Sequence, residues 1–303
     1  MACEIVGVGH CCYDYLCTVE AYPPEDGSTH ILKIEHQGGG AVGTALVAAS
    51  KLGHSVGVIA NWGDDETGRL IQEGFESAGV SLAGAEVIPG VQSCVSYVMV
   101  HPENGTRTKF PCRDAAPPVR WTEAQKALLR NAGILHLDGT RYDNALRAAQ
   151  LARSYDVPVS LDACSIQEDN EKNRALVSLT DILIMNARYP VRVAGTDDKE
   201  KALRYFAALG PRIVVTTAGS QGCTALIDGT VRHFPAYPVQ TLDTTGAGDV
   251  FHGAFLSAWL REMSVPDCLR YASAAAALKC TQMGGRAGIP THEAVLAFLA
   301  SRA

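Results

Sequence analysis

Residues 30–43 read HILKIEHQGGGAVG, and the fold turns on what the closing glycines are for. Gly38, Gly40 and Gly43 fill the slots of G-x-G-x-x-G, the loop that seats a dinucleotide pyrophosphate. A helix-like run (44–52) follows, and Asp64 lies about twenty residues on, where an acid could hold a ribose. That loop normally follows a buried strand of a parallel sheet. HILKIEHQ instead alternates apolar and polar residues, as a strand with one wet face does. The buried opening strand is EIVGV (4–8), well upstream, with no glycine fingerprint after it. The motif is present without its setting, so the segment reads as leaving a small sheet and entering a core helix. A nicotinamide-dependent dehydrogenase remains the formal rival on this motif alone.

The chain has 303 residues, enough for one large α/β domain or a domain with a small appendage. With 47% hydrophobic residues it can fill a core. A net charge of −6, with no Lys/Arg run exceeding two, argues against nucleic acid as the main partner. Of ten cysteines none forms C-x-x-C, and Cys11-Cys12 are badly placed to bridge each other. Most sit in apolar surroundings, where a free thiol acts as a small hydrophobe; reduced cytosolic thiols are expected. No H-E-x-x-H or Cys/His cluster argues for zinc. The N-terminus has no basic region ahead of an apolar stretch, and no apolar run reaches the ~18 residues of a membrane span. A cytoplasmic protein without a membrane partner is expected.

Short apolar runs at 4–8, 56–60, 134–137, 157–161, 182–185 and 212–216 predict strands buried on both faces. Helical periods fall at 41–52, 68–78, 122–131, 144–155, 199–209, 248–262, 265–283 and 291–299. The alternation calls for an α/β fold with a mostly parallel central sheet covered on both sides. Two stretches break the rhythm: 15–37, and 93–112, where CVSYVMV and TRTKFP flank the hairpin signal Glu103-Asn104-Gly105. They predict one small β-sheet lid over a core made of 1–14, 38–92 and 113–303. Such a sheet can cap a site or pair with a second copy of the chain.

The chemistry concentrates in LDTTGAGDVFHGAF (242–255). Gly246-Ala247-Gly248 lets a ligand approach the backbone, and apolar residues follow at helical spacing. A helix starting near Gly248 aims free N–H groups and its positive dipole end at the turn, making an anion hole. Asp249 in its first turn is placed to take a proton from a substrate hydroxyl, as phosphoryl transfer to an alcohol requires. The plain alternative is an Asp that merely caps the helix.

DTTGAGD followed by Phe and a small-residue helix resembles the signature of the ribokinase-like (PfkB) carbohydrate kinases. The resemblance spans essentially the whole chain. Asp14, Gly39-Gly40, Leu52-Gly53, Gly63-Asp64-Asp65-x-x-Gly68, Asn186, Thr217–Gly222 and ALKCTQMGGRAGIP (277–290) follow in family order. It implies a three-layer α/β/α domain with a β-sheet lid, and ATP- and Mg2+-dependent phosphorylation of a sugar or related alcohol. By the same resemblance, Asp249 is the catalytic base and Gly246, Ala247 and Gly248 form the anion hole. Asp14, Gly39 and Gly40 contact sugar hydroxyls; Asn186, Thr217, Gly219 and Gly222 line the nucleotide, together with Gly246 and Gly248. Asp243, Thr245 and the 284–288 loop lie where members bind an activating monovalent cation, usually potassium. A homodimer through the β-sheet lid is expected.

Two positions depart from the family pattern. Many members carry Asn-x-x-Glu, whose Glu organises magnesium and phosphates through water; here the segment is Asn186-Ala187-Arg188-Tyr189. Either another acid does this work, or phosphates and water suffice. Thr44 stands where the sugar loop often has Asn, which should alter the hydroxyls that are read. The same stretches most resemble the bacterial 6-deoxy-6-sulfofructose kinases, in which an Arg at the place of Arg141 lies near the sulfonate. The plain alternative for Arg141 is a surface Arg capping a helix or pairing with Asp143. Lys109 and Arg113 could add positive charge. The expected reaction is transfer of the γ-phosphoryl group to a hydroxyl of a ketohexose or a 6-substituted derivative. A phosphosugar kinase, a nucleoside or ribose kinase, and a non-catalytic sugar-binding relative are the alternatives.

Overall fold

The computed structural model describes residues 3–101, 107–112 and 115–302. The first strands are β1 (Ile5–Val8), β2 (Cys12–Val19), β3 (Ile31–Gly39), β4 (Val56–Val58), β5 (Asn61–Gly63), β6 (Val80–Ser81) and β7 (Glu86–Ile88). They are followed by β8 (Val95–Val100), β9 (Arg107–Pro111), β10 (Ile134–Leu137), β11 (Val159–Ala163) and β12 (Ile182–Asn186). The last are β13 (Ile213–Thr217), β14 (Cys223–Ile227) and β15 (Thr230–Phe234). The helices are α1 (Ala41–Lys51), α2 (Glu66–Ser77), α3 (Glu123–Arg130), α4 (Tyr142–Ser154) and α5 (Asn170–Ser178). Then come α6 (Arg188–Val193), α7 (Lys199–Ala207), α8 (Ala247–Leu260), α9 (Val265–Lys279) and α10 (His292–Ala300).

Among the described residues the large sheet has nine strands, ordered β15-β14-β13-β12-β11-β10-β1-β4-β6. It is parallel from β13 to β6, and β14 and β15 add an antiparallel edge. Each central strand buries alternate side chains into two separate cores. Ile5, Ile134, Ile182, Ile184 and Val215 face α1, α8 and α9. Val6, Leu135, Leu183, Met185 and Val214 face the layer built from α3, α4 and α7. Burial on both faces is why these strands read as continuous apolar runs. The result is a three-layer α/β/α domain.

A separate four-stranded sheet, β3-β2-β8-β9, forms the lid, and β5 pairs with β7. The hairpin signal at Glu103-Asn104-Gly105 lies outside the described residues, but its flanks β8 and β9 pair antiparallel. Several elements differ from expectation. α5 had no strong period because it buries only Asn173, Leu176 and Val177. The hairpin β14–β15 was not anticipated; its signal is Asp228-Gly229, both at positive φ, as a tight two-residue turn requires. α9 stops at Lys279, short of Met283, where the chain turns into the glycine-rich 284–288 loop.

Strands β10 to β13 all end at one edge, which therefore collects Asp138, Asp162, Asn186 and Thr217, the place where open α/β sheets bind ligands. All ten cysteines are free. Among the described residues no helix is long and apolar enough to cross a membrane.

Candidate active site

The site begins at the start of α8. Gly246 precedes it with φ 73°, and a Cβ there would sit 2.7 Å from the Gly285 carbonyl oxygen. Glycine is needed both for the left-handed turn and for the approach of the 284–288 loop. Ala247 N–H donates to Thr244 O (3.2 Å), and Val250 N–H to Gly246 O (2.8 Å). The amides of Gly248 and Asp249, in the first turn, have no acceptor within the helix and are available to an anion. Nothing lies within 4 Å of where a Gly248 Cβ would be, so the approach is open.

Asp249 stands in that first turn, half-buried. Burial pushes its carboxyl up to about 7, and the carboxylates of Asp162 and Asp138 push the same way, against the opposing charges of His252 and Lys109. Asp162, on β11, lies 3.2 Å from His252 Nε2, and both side chains are buried. Burial works against the Asp162 charge, yet His252 holds its carboxyl below the usual range. The His136 ring is 5.5 Å from that of His252, and burial drives His136 down to about 3, so it is neutral. Asp138 is wholly buried. It accepts from the amides of His10 (2.7 Å), Thr140 (2.9 Å) and Val42 (3.4 Å), fastening the ends of β1 and β10 to the start of α1. These acids and histidines were not singled out from the sequence. A polar residue near the end of each buried strand, as in ILHLDG and VSLDAC, was the available signal.

The lid supplies the opposite wall. Asp14 pairs in register with Gln37 and Ser96, Lys109 with Val98, and Arg107 with Val100, so these residues share one face of the sheet. That face looks inward, because the Arg107 guanidinium reaches across to donate to Thr245 Oγ1 (2.5 Å) and Thr244 Oγ1 (3.3 Å). A Cβ on Gly39 would collide with the Asp14 carboxylate, so loop and acid form one surface. Gly40 precedes α1, and Thr44 is buried in its first turn. Arg286 enters from the 284–288 loop. It donates to Gly39 O (2.9 Å) and, weakly, to Thr44 Oγ1 (3.4 Å), and packs 5.3 Å from the Phe75 ring centre. Arg141 precedes α4 and donates to Ala116 O (2.8 Å), bracing the loop that leads out of the lid. Arg113 lies outside the described residues.

On the other side of α8's first turn is a cavity of about 520 Å³ whose lining includes Thr217, Gly219, Gly222, Ala247 and Gly248. Asn186 pairs with Thr217 at the strand ends, but its side-chain oxygen accepts from the amides of Arg188 (2.9 Å) and Tyr189 (3.2 Å). It turns the chain into α6. Tyr189 is buried, with its ring 5.6 Å from that of Phe206, and burial pushes its phenol up. It is a core residue and offers no ligand to a metal. Among the described residues no three His, Cys, Asp or Glu side chains are grouped to hold one. Asp243 Oδ1 accepts from Thr245 N–H (2.8 Å) and Oγ1 (2.6 Å), and Oδ2 from Gly284 N–H (2.8 Å). Burial would raise its carboxyl, but these bonds and the Lys279 charge hold it below its ordinary value.

The pfkB family carbohydrate kinase model matches residues 3–292. The chain is 31% identical over 299 residues to the ATP-dependent ribose-1-phosphate kinase of Halopiger xanaduensis, covering 99% of each. It is 27% identical to the nucleoside kinase of Methanothermobacter thermautotrophicus, covering 98% of this chain and 96% of that one. Arabidopsis thaliana ribokinase, solved with ribose and ATP, superposes with a TM-score of 0.88 at 27% identity over 99% of both chains. An acid at a helix N-terminus between a cavity and a lid, in a chain matched along its length, identifies this protein as a member of the pfkB family of carbohydrate kinases, phosphotransferases with an alcohol group as acceptor.

Proposed function

We propose that the chain transfers the γ-phosphoryl group of ATP to a primary hydroxyl of a furanose sugar or sugar derivative, with Asp249 as general base. The observation that carries this reading is the position of Asp249. Its carboxyl, held near 7, lies between a cavity of nucleotide size and the inward face of the lid. A base with that value is deprotonated often enough to accept the hydroxyl proton and basic enough to hold it. The amides of Gly248 and Asp249 would face the charge developing on the transferring group. Mg2+ bound to the nucleotide would neutralise phosphate charge. Tyr189 gives it no carboxylate, so phosphates and water would complete its shell. Thr217, Gly219 and Gly222 would line the nucleotide, with Asn186 shaping the adjoining turn. Asp14, Gly39 and Gly40 would meet the sugar, and Arg107 would hold the lid against the anion hole.

The relatives' names favour ribose or a ribosyl compound as the acceptor. A ketohexose or its 6-substituted derivative, such as 6-deoxy-6-sulfofructose, is the second reading. It is carried by Thr44 in the sugar loop and by the cations Lys109 and Arg141. A coupled ADP-release assay with ribose, ribose 1-phosphate, adenosine, fructose, fructose 6-phosphate and sulfofructose separates them. Turnover of none of these with ATP would sink the proposal, and preference for a fructose derivative would select the second reading.

The lid's outward face carries Ile34, Tyr97 and Phe110, all exposed, and Tyr15 stacks on Tyr97. We place a second copy of the chain there. Ile34→Glu should convert a dimer to a monomer in sedimentation, and an unchanged mass would refute the placement. Ten free thiols accord with a cytoplasmic setting.

A further inference from the structure

The junction beneath the anion hole contains its own cation. Lys279, the last residue of α9, is fully buried, and its Nζ donates to the main-chain oxygen of Asp243 (2.8 Å). The same turn is pinned to α9 by Leu242 N–H and Asp243 N–H, which donate to Cys280 O (2.8 and 3.2 Å). The 284–288 loop closes the junction: Gly284 N–H binds the Asp243 carboxylate, and a Cβ on Gly288 would lie 2.5 Å from the Lys279 carbonyl oxygen. Arg107 adds a second positive charge, with Nη1 4.0 Å from Asp243 Oδ1.

This is the place where the family resemblance puts an activating monovalent cation, and the residues do not fit one. Asp243 already accepts four hydrogen bonds, two on Oδ1, one on Oδ2 and one, from an ammonium, on its main-chain oxygen. An incoming ion would have to displace those donors while facing two fixed cations at short range. A buried ammonium with no paired carboxylate would be costly unless the surrounding carbonyl dipoles and nearby acids answered its charge. Burial pulls the Lys279 ammonium below its ordinary value, and the carboxylates of Asp243 and Asp249 act against that shift.

We propose that the Lys279 ammonium serves as a built-in monovalent cation, holding the 243–248 turn and the 284–288 loop together so that the enzyme needs no added potassium. Its role is positional: it touches neither nucleotide nor sugar, and orders the amides that do.

The inference rests on the kinase reading, so its test carries a readout independent of turnover. Thermal melting of the wild type, at constant ionic strength, should be the same in potassium, sodium and tetramethylammonium chloride. Lys279→Met vacates the site and should melt lower, with recovery specific to potassium or ammonium. In the ADP-release assay the wild type should be insensitive to the choice of cation. Lys279→Met should lose about 10²–10³-fold, the cost of removing preorganised electrostatic support, and regain activity with potassium. Saturable activation of the wild type by potassium, or a potassium-specific rise in its melting temperature, would overturn the proposal. If Lys279→Met fails to fold, the wild-type titrations still decide. If no substrate is turned over, the kinase reading fails while the melting comparison still tests the cation.

Discussion

Two carboxylates six residues apart, on either side of one turn, are driven in opposite directions. Asp243 is held below its ordinary value, while Asp249 is raised to about 7. Burial raises both. The difference is that Asp243 accepts from Thr245 and Gly284 and has Lys279 beside it, whereas Asp249 faces the carboxylates of Asp162 and Asp138. One acid is spent on holding the loop and stays charged; the other is kept available for a proton. Titratable groups whose environments push them apart mark a division of labour between structure and chemistry.

The comparison breaks hardest at Asp249. Asp249→Asn should lower kcat by about 10²–10⁴-fold with an unchanged circular dichroism spectrum. In the wild type the base must be deprotonated, so kcat/KM should rise with pH through about 7 and then level. A pH-independent rate across that window, or a nearly active Asn variant, would show that Asp249 is not the base.

Asp243→Ala attacks the other partner. It strands the donors of Thr245 and Gly284 and should cost about 2–4 kcal/mol in urea unfolding. Loss of activity without loss of stability would mean that Asp243 acts in the chemistry after all. Arg107→Ala removes the strap between lid and turn and should reduce kcat/KM about 10–100-fold. Arg107→Lys should restore little, because one ammonium cannot span both Thr244 and Thr245.

Stability against pH sharpens the contrast. Asp249 has a raised folded value, so above its unfolded value of about 3.9 the folded state holds a proton that the unfolded chain has lost. Stability from this group falls as pH rises through about 7 and then levels. Asp243 has the opposite sign: its contribution is present above the unfolded value and lost as pH falls through the depressed folded one. Asp249→Asn should therefore gain about 2–4 °C in melting temperature over the wild type between acidic and mildly alkaline buffer. No pH-dependent difference would refute the raised value. The smallest effect is expected at Tyr189→Phe, a buried core position packed on Phe206. It should leave Mg2+ dependence unchanged, and an altered Mg2+ requirement would restore Tyr189 to the metal's neighbourhood.

Much of the architecture was legible because its causes are local. Continuous apolar runs such as ILIM can be buried on both faces only in a covered parallel sheet, and HILKIEHQ had to lie elsewhere. GAGD announced a helix start because only glycine tolerates both the turn of Gly246 and the nearby Gly285 carbonyl. Nothing in the local pattern set Arg107 or Lys279 apart; their contacts with Thr245 and Asp243 come from the assembled fold. Arg141 braces a loop through the Ala116 carbonyl, a contact no spacing rule foresees.

The sequence by itself determined the alternation of strands and helices, the separate lid and the acid at the start of α8, because periodicity and turn chemistry act over a few residues. Only the tertiary structure decided that the carboxyl of Asp249 is pushed up while that of Asp243 is held down. The neighbours that set those values arrive from far along the chain: Lys279 meets Asp243 across 36 positions, and Asp162 and Asp138 act on Asp249 from the ends of β11 and β10. Charge and burial depend on that assembly, and no local pattern encodes it.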